Sequence, residues 1–195
     1  MNDWCPSPAN LPGSHMGAAQ SLVAPLVVKS VDYLNRVHKV SRDGSDPDIV
    51  DFATAFLKDL QRRSMPFFVH CYVRSNAQQE TLYSQGVSKA RAGQSPHNWG
   101  MACDIVHFGR FWELTQKEWA VVGEIGKEAA RRRNIKITWG GDWRFYDPAH
   151  WELTDWKKRI THYPVEDFRT AFAKARAQGL SKFLWQGREY TTELA

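Results

Sequence analysis

Four short runs rich in aromatic and branched side chains, at residues 66–73, 101–108, 135–139 and 150–153, alternate irregularly with stretches of helical periodicity. Runs of this length and composition read as strands. They lack the regular strand–helix–strand rhythm of a doubly wound parallel sheet, so the pattern argues for an α+β fold. The helices mark their own starts. Asp46 followed by Pro47 offers a side-chain cap and then a residue whose φ already suits the first turn. Ile49, Phe52, Ala53, Phe56, Leu57 and Leu60 recur behind it at helical spacing, to about Arg63. Ser75 with Gln78, and Thr115 with Glu118, have the spacing of capping boxes. The first opens a helix carrying Gln79, Leu82 and Tyr83 that stops at Gly86. The second runs to about Arg133, with Trp119, Val122, Ile125 and Ala129 inward and Asn134 closing it. A further helix is expected over residues 25–37, from Leu26, Val27, Val31, Leu34 and Val37.

At 195 residues, 43% of them hydrophobic, the chain can bury one sizeable core and carry a small appendage. Residues 1–20 are expected to be loose. Gly13-Ser14-His15-Met16 reads as a vector-derived scar, which removes His15 from the candidate ligands. The main domain is expected over residues 21–155. After it, residues 165–178 read as an amphipathic helix ended by Gly179, and two short strands flank Gln186-Gly187. So short a hairpin must dock on something. Residues 156–195 are either a cover for the core or a small binding appendage.

A formal charge of +5 points weakly to an anionic partner. Its densest run, Arg131-Arg132-Arg133, falls at a helix C-terminus, where cations complement the dipole. No nucleic-acid-binding motif accompanies it, so nucleic acid is not expected as a partner. Cys5, Cys71 and Cys103 form no CxxC pair; Cys71 and Cys103 lie in strands and read as buried small hydrophobes. The N-terminus lacks the basic and apolar regions of a secretory signal. No window approaches the roughly 18 apolar residues of a membrane span.

The chemistry sits in Ser95-Pro-His97-Asn-Trp-Gly-Met-Ala-Cys-Asp104 and in residues 140–152. His97, Asp104 and His150 offer two imidazoles and a carboxylate, a set suited to zinc that leaves a coordination position open. Hydrolysis at such a centre needs a nearby carboxylate to move a proton. Asp147 is one candidate and Glu152 another. Along an extended segment Glu152 would share a face with His150, as a base or as an acceptor for a ligand N–H. The three ligands are far apart in sequence, unlike two histidines one helical turn apart, so spacing alone is not distinctive. His70 and His107 are alternative ligands in principle and are expected to be packed. Cys103 would point away from Asp104. Trp99, Trp139, Trp143 and Trp151 would either pack the core or line a cleft.

Taken in order, Ser95-x-His97-x-x-Gly100-x-Ala102-x-Asp104, Trp139-Gly-Gly-Asp-Trp143 and Asp147-x-x-His150-Trp-Glu resemble the signature of the VanY/VanX-type zinc D-peptidases, peptidase family M15. Within that group the chain is most similar to the L-alanyl-D-glutamate endopeptidases of bacteriophage endolysins. Arg74-Ser75, Gln79, Leu82-Tyr83 and Gln85-Gly86 match the segment preceding the first metal motif, and the likeness covers roughly residues 45–155. It implies a small central antiparallel sheet flanked by helices, with residues 21–155 as the catalytic domain. It also implies Zn2+ on His97, Asp104 and His150, with Asp147 as general base. Arg74 would stabilise the charge developing on the attacked carbonyl oxygen, although a strand-end ion pair is its ordinary use. Ser95, Tyr83 and Trp143 would bind substrate, with capping of the loop the alternative for Ser95. The dipeptidase branch typically has Glu where this chain has Asp147, which favours the endopeptidase branch. The expected substrate is peptidoglycan, with anionic wall polymers as further partners. A monomer is expected, made in the bacterial cytoplasm without a signal peptide and acting on the wall. The alternatives are a D-Ala-D-Ala carboxypeptidase or dipeptidase, and a non-catalytic peptidoglycan-binding relative.

Overall fold

The computed structural model describes residues 13–162, 168–185 and 188–193. In chain order the elements are α1 (Gly13–Ser21), α2 (Val31–Lys39), α3 (Pro47–Arg62), β1 (Phe67–Cys71), α4 (Asn76–Ser84), β2 (Ala102–His107), α5 (Gln116–Arg133), β3 (Ile137–Trp139), β4 (His150–Leu153), α6 (Trp156–His162), α7 (Phe168–Ala177), β5 (Lys182–Trp185) and β6 (Arg188–Thr191). They fall into two compact units. One comprises the residues up to 73 together with 100–154; the other comprises 74–99 and the residues from 155 onward. Residues 74–99 therefore cluster with the C-terminal segment, whereas the sequence reading set the division near 155.

The first unit is α+β. Its sheet has the order β1-β2-β4-β3 with every neighbouring pair antiparallel. One face carries the core. Trp151 is fully buried there, 5.3 Å from Phe52 and 5.0 Å from Phe56 on α3, and stacked at 5.5 Å on Trp139. Helix α5 approaches these indoles closely because it presents glycine: a Cβ at Gly126 would run into Trp151, and one at Gly123 into Trp139. The expected caps form. Asp46 accepts from the Asp48 amide at 2.9 Å, Thr115 and Glu118 close a capping box, and Asn134 ends α5 in the left-handed region at φ 54°. The arginine run is used internally. Arg131 pairs with Glu128, Arg132 with Asp59 and Arg133 with Asp51, which ties α5 to α3.

Two N-terminal expectations are corrected. Residues 13–21 are a helix rather than a loose segment: Ala19 and Leu22 are buried, and the Ser21 hydroxyl donates to Glu118 at 2.6 Å. The helix expected over 25–37 is instead a 3-10 turn at Val27–Lys29 followed by α2. Ser30 starts the helix afresh by accepting from the Tyr33 amide at 3.3 Å.

In the second unit α4 begins with the expected Ser75–Gln78 capping box. Helix α6 was not foreseen. It is short, with Trp156 buried at its start and an Asp155–Arg159 ion pair at 2.8 Å. Ala171, Ala175 and Phe183 are buried together with Phe172 and Tyr190 against them, so α7 supplies the support that the β5–β6 hairpin needs. Residues 165–167 and Gln186-Gly187, included in the expected helix and turn, lie outside the described residues. Among the described residues no helix is long and apolar enough to cross a membrane.

Candidate metal site

In the first unit, strand register assembles the site. Asp104 is directly opposite His150 across β2–β4 and directly opposite Cys71 across β1–β2. Residues directly opposite in an antiparallel pair project to the same face. Cys71, Asp104 and His150 therefore form a row across three strands, with Glu152 beside His150 on β4. Cys103 and Trp151, opposite each other in the same ladder, occupy the core face. Cys103 thus points away from Asp104, and burial pushes its thiol well above the ordinary range.

His150 is held between two carboxylates. Its Nδ1 is 3.3 Å from Asp104 Oδ1, and its Nε2 is 3.0 Å from Glu152 Oε2. The second distance is an ordinary hydrogen bond; the first is long for one. Two donor atoms each 2.0–2.1 Å from a tetrahedral ion would lie about 3.3 Å apart. The Asp104–His150 pair therefore has the separation of two ligands to one cation. Glu152, accepting from Nε2–H, would leave the Nδ1 lone pair facing Asp104. The donor set fits a divalent ion.

The loop before β4 is built on Gly140. Its carbonyl accepts from the amides of Trp143, at 3.2 Å, and Asp147, at 3.1 Å, and any Cβ there would strike the Asp147 carbonyl. Asp147 starts a β-turn closed by the His150 amide on its carbonyl at 3.1 Å, with Pro148 at the second position. The Trp143 ring is 5.1 Å from the imidazole of His150. At the start of β2, Gly100 has φ 66°, and a Cβ there would overlap the Gly44 carbonyl. Its own carbonyl accepts from the Asp46 amide at 2.8 Å.

The second unit organises the other candidates. His97 is buried in a 3-10 turn, Pro96–Trp99, where the Ser95 hydroxyl accepts from the His97 amide at 3.3 Å. Ser95 thus caps this loop, one of its two expected uses. The Arg74 amide donates to the His97 carbonyl at 3.1 Å, and the Asn98 side chain donates to the Arg74 carbonyl at 2.9 Å. The Arg74 guanidinium donates to Gln79 at 2.9 Å. Gln79, fully buried, donates onward to Ser88 at 2.8 Å and to the Ala90 carbonyl at 2.6 Å. Arg74 is therefore held by a buried amide. Tyr83 has the Arg91 guanidinium 4.3 Å above its ring.

Sequence reasoning missed the anchoring work of Gln79 and Asn98. The one available signal was a polar residue one turn into a capped helix, and another beside a candidate ligand. It also misjudged two strand residues. Cys71 is only partly buried and faces Asp104 rather than the core, because the register slips between Val69 and Cys71. His70 is exposed, its ring 4.9 Å from that of Trp112. His107 is packed as expected. Its Nδ1 accepts from the amides of Gly109 and Arg110, and burial, aided by Arg110, lowers its pKa to about 4.

A small antiparallel sheet that sets Asp104 opposite His150, with a Gly-Gly loop leading into β4, has counterparts among known proteins. Residues 88–153 match a peptidase M15 family model described as D-alanyl-D-alanine carboxypeptidase. The chain is 33% identical to the peptidoglycan L-alanyl-D-glutamate endopeptidase CwlK of Bacillus subtilis (strain 168), over 41% of this chain and 56% of that protein. It thus spans little more than half the length of that curated relative. The crystal structure of the Serratia marcescens L-Ala D-Glu endopeptidase ChiX superposes with a TM-score of 0.52 at 28% identity, covering 63% of this chain and 90% of that one.

Proposed function

We propose that this chain is a zinc metallopeptidase that hydrolyses peptidoglycan stem peptides, at the bond between L-Ala and D-Glu. The observation that carries the reading is the Asp104–His150 pair, set at ligand spacing by β2–β4 register with Glu152 behind the imidazole. His97 would be the third ligand. The named activities of CwlK and ChiX supply the substrate class. Zinc, when bound, would acidify a water and polarise the scissile carbonyl. The chain's own residues would do the rest. Asp147 would take a proton from the attacking water and pass it to the departing amine. Arg74, its guanidinium held by Gln79, would donate to the carbonyl oxygen as negative charge develops there. Trp143, beside His150, and Tyr83 would contact the stem peptide. Direct attack by water leaves no acyl-enzyme.

A second reading, a D-Ala-D-Ala carboxypeptidase or dipeptidase, is favoured by the description of the matching family model. Mass analysis of muropeptides after digestion of purified peptidoglycan separates the two. New L-Ala C-termini and D-Glu N-termini are the expected products. Loss of terminal D-Ala would transfer the chain to the second reading, and unchanged muropeptides would leave a non-catalytic wall-binding protein. The VanY-type motifs are similar to those of phage endolysins, and we extend the proposal to that role, with the protein acting on the wall as a monomer. The net charge of +5 would then favour adsorption to anionic wall polymers, so lysis should weaken as salt is raised.

A further inference from the structure

The β-bulge in β1 aims a thiol at the candidate metal site. Val69 pairs with Ile105, and uninterrupted antiparallel pairing would set Cys71 opposite Cys103, on the core face. Instead the register slips by one residue, and Cys71 pairs with Asp104. A one-residue slip sends a side chain to the opposite face of a sheet, and bulges re-aim side chains next to functional sites. The extra residue, His70, is exposed. Cys71 becomes the third member of the row with Asp104 and His150, and the donor atoms of Cys71 and Asp104 lie within 4.8 Å of each other. The thiol is in no disulfide among the described residues, is partly accessible, and donates to the Val73 carbonyl at 3.5 Å. Sulfur is a favoured zinc donor.

We propose that Cys71 is a sulfur ligand of the metal held by Asp104 and His150, occupying the coordination position that three-ligand sites leave open. This inference rests on the metal reading above. On binding, the thiol proton passes to solvent and a sulfur–metal bond forms. The resting centre would then be closed by the protein, and Cys71 would have to yield its position for water to enter.

The test uses the full chain, stripped of metal with a chelator and given one equivalent of Co2+, with bound metal counted by equilibrium dialysis. The wild type should display an intense sulfur-to-cobalt charge-transfer absorption in the near ultraviolet. Cys71→Ser and Cys71→Ala should lose that band while still binding cobalt, and Cys103→Ala should keep it. Zinc should also slow alkylation of Cys71 by iodoacetamide, followed by peptide mass spectrometry. A band that survives Cys71→Ser, or persists in His150→Ala, overturns the proposal, as does a cobalt-loaded wild type without the band. If dialysis finds no bound cobalt in any form, the metal reading itself fails and this inference falls with it.

Discussion

Replacing Glu152 tests whether the sheet presents His150 to a metal ion. Its Oε2 is 3.0 Å from His150 Nε2, and the two side chains are 15% and 8% exposed, so water competes little for this bond. A hydrogen bond to a charged acceptor in such surroundings contributes about 1.5–3 kcal/mol. Its loss releases the imidazole to rotate and to carry its proton on Nδ1, the atom facing Asp104. At about 1.4 kcal/mol per factor of ten, Glu152→Ala should weaken zinc binding roughly 10–100-fold. Glu152→Gln keeps an acceptor oxygen at the same reach and should stay within about threefold of the wild type, or roughly 0.7 kcal/mol. Competition against a chromophoric zinc chelator reads both variants without any assay of turnover. The reasoning is refuted if Glu152→Ala binds zinc as tightly as the wild type. It is equally refuted if Gln is as damaging as Ala, because the acceptor would then not be what matters.

Asp147→Asn should retain bound zinc and lose about 10²–10⁴-fold in muropeptide release, the usual contribution of a positioned base; loss of metal in this variant would make Asp147 a ligand instead. Glu118 accepts from Arg110 through both terminal guanidinium nitrogens at 2.7 Å, and also from Ser21 and Thr115. Arg110 above all holds its carboxyl well below the usual carboxylate range, against the cost of burial. Because the folded value is depressed, this stabilisation is complete above about pH 4.3, the ordinary carboxylate value, and is lost as pH falls through the folded value. Glu118→Gln should cost about 2–3 kcal/mol at pH 7, below the full cost of breaking a buried pair because Arg110 is partly exposed. Denaturant titrations should find that deficit shrinking toward pH 2; a deficit independent of pH would count against the network. Gly126→Ala places a methyl group against Trp151 and Phe56 and should destabilise by about 1–3 kcal/mol in thermal melts, whereas an unchanged midpoint would mean that α5 can retreat at no cost.

Local chemistry was legible wherever neighbouring residues alone decide it. Asp46-Pro47 and the pairs Ser75–Gln78 and Thr115–Glu118 begin helices because each cap satisfies amides within three residues of itself. Strand alternation likewise put His150 and Glu152 on one face. Helices α6 and α1 were not legible, since at 7 and 9 residues neither is long enough for an apolar periodicity to stand out from a loop.

The amino-acid order by itself determined which donors are available and which short segments carry them, because caps, turns and alternation act over a few residues. Tertiary structure alone decided which residues share the face of Asp104. A single slip in β1 moved Cys71 from the core side to the site side, and pairing with β4 set His150 at ligand distance. Register is a property of two strands together, fixed by what each buries, so neither strand read separately contains it.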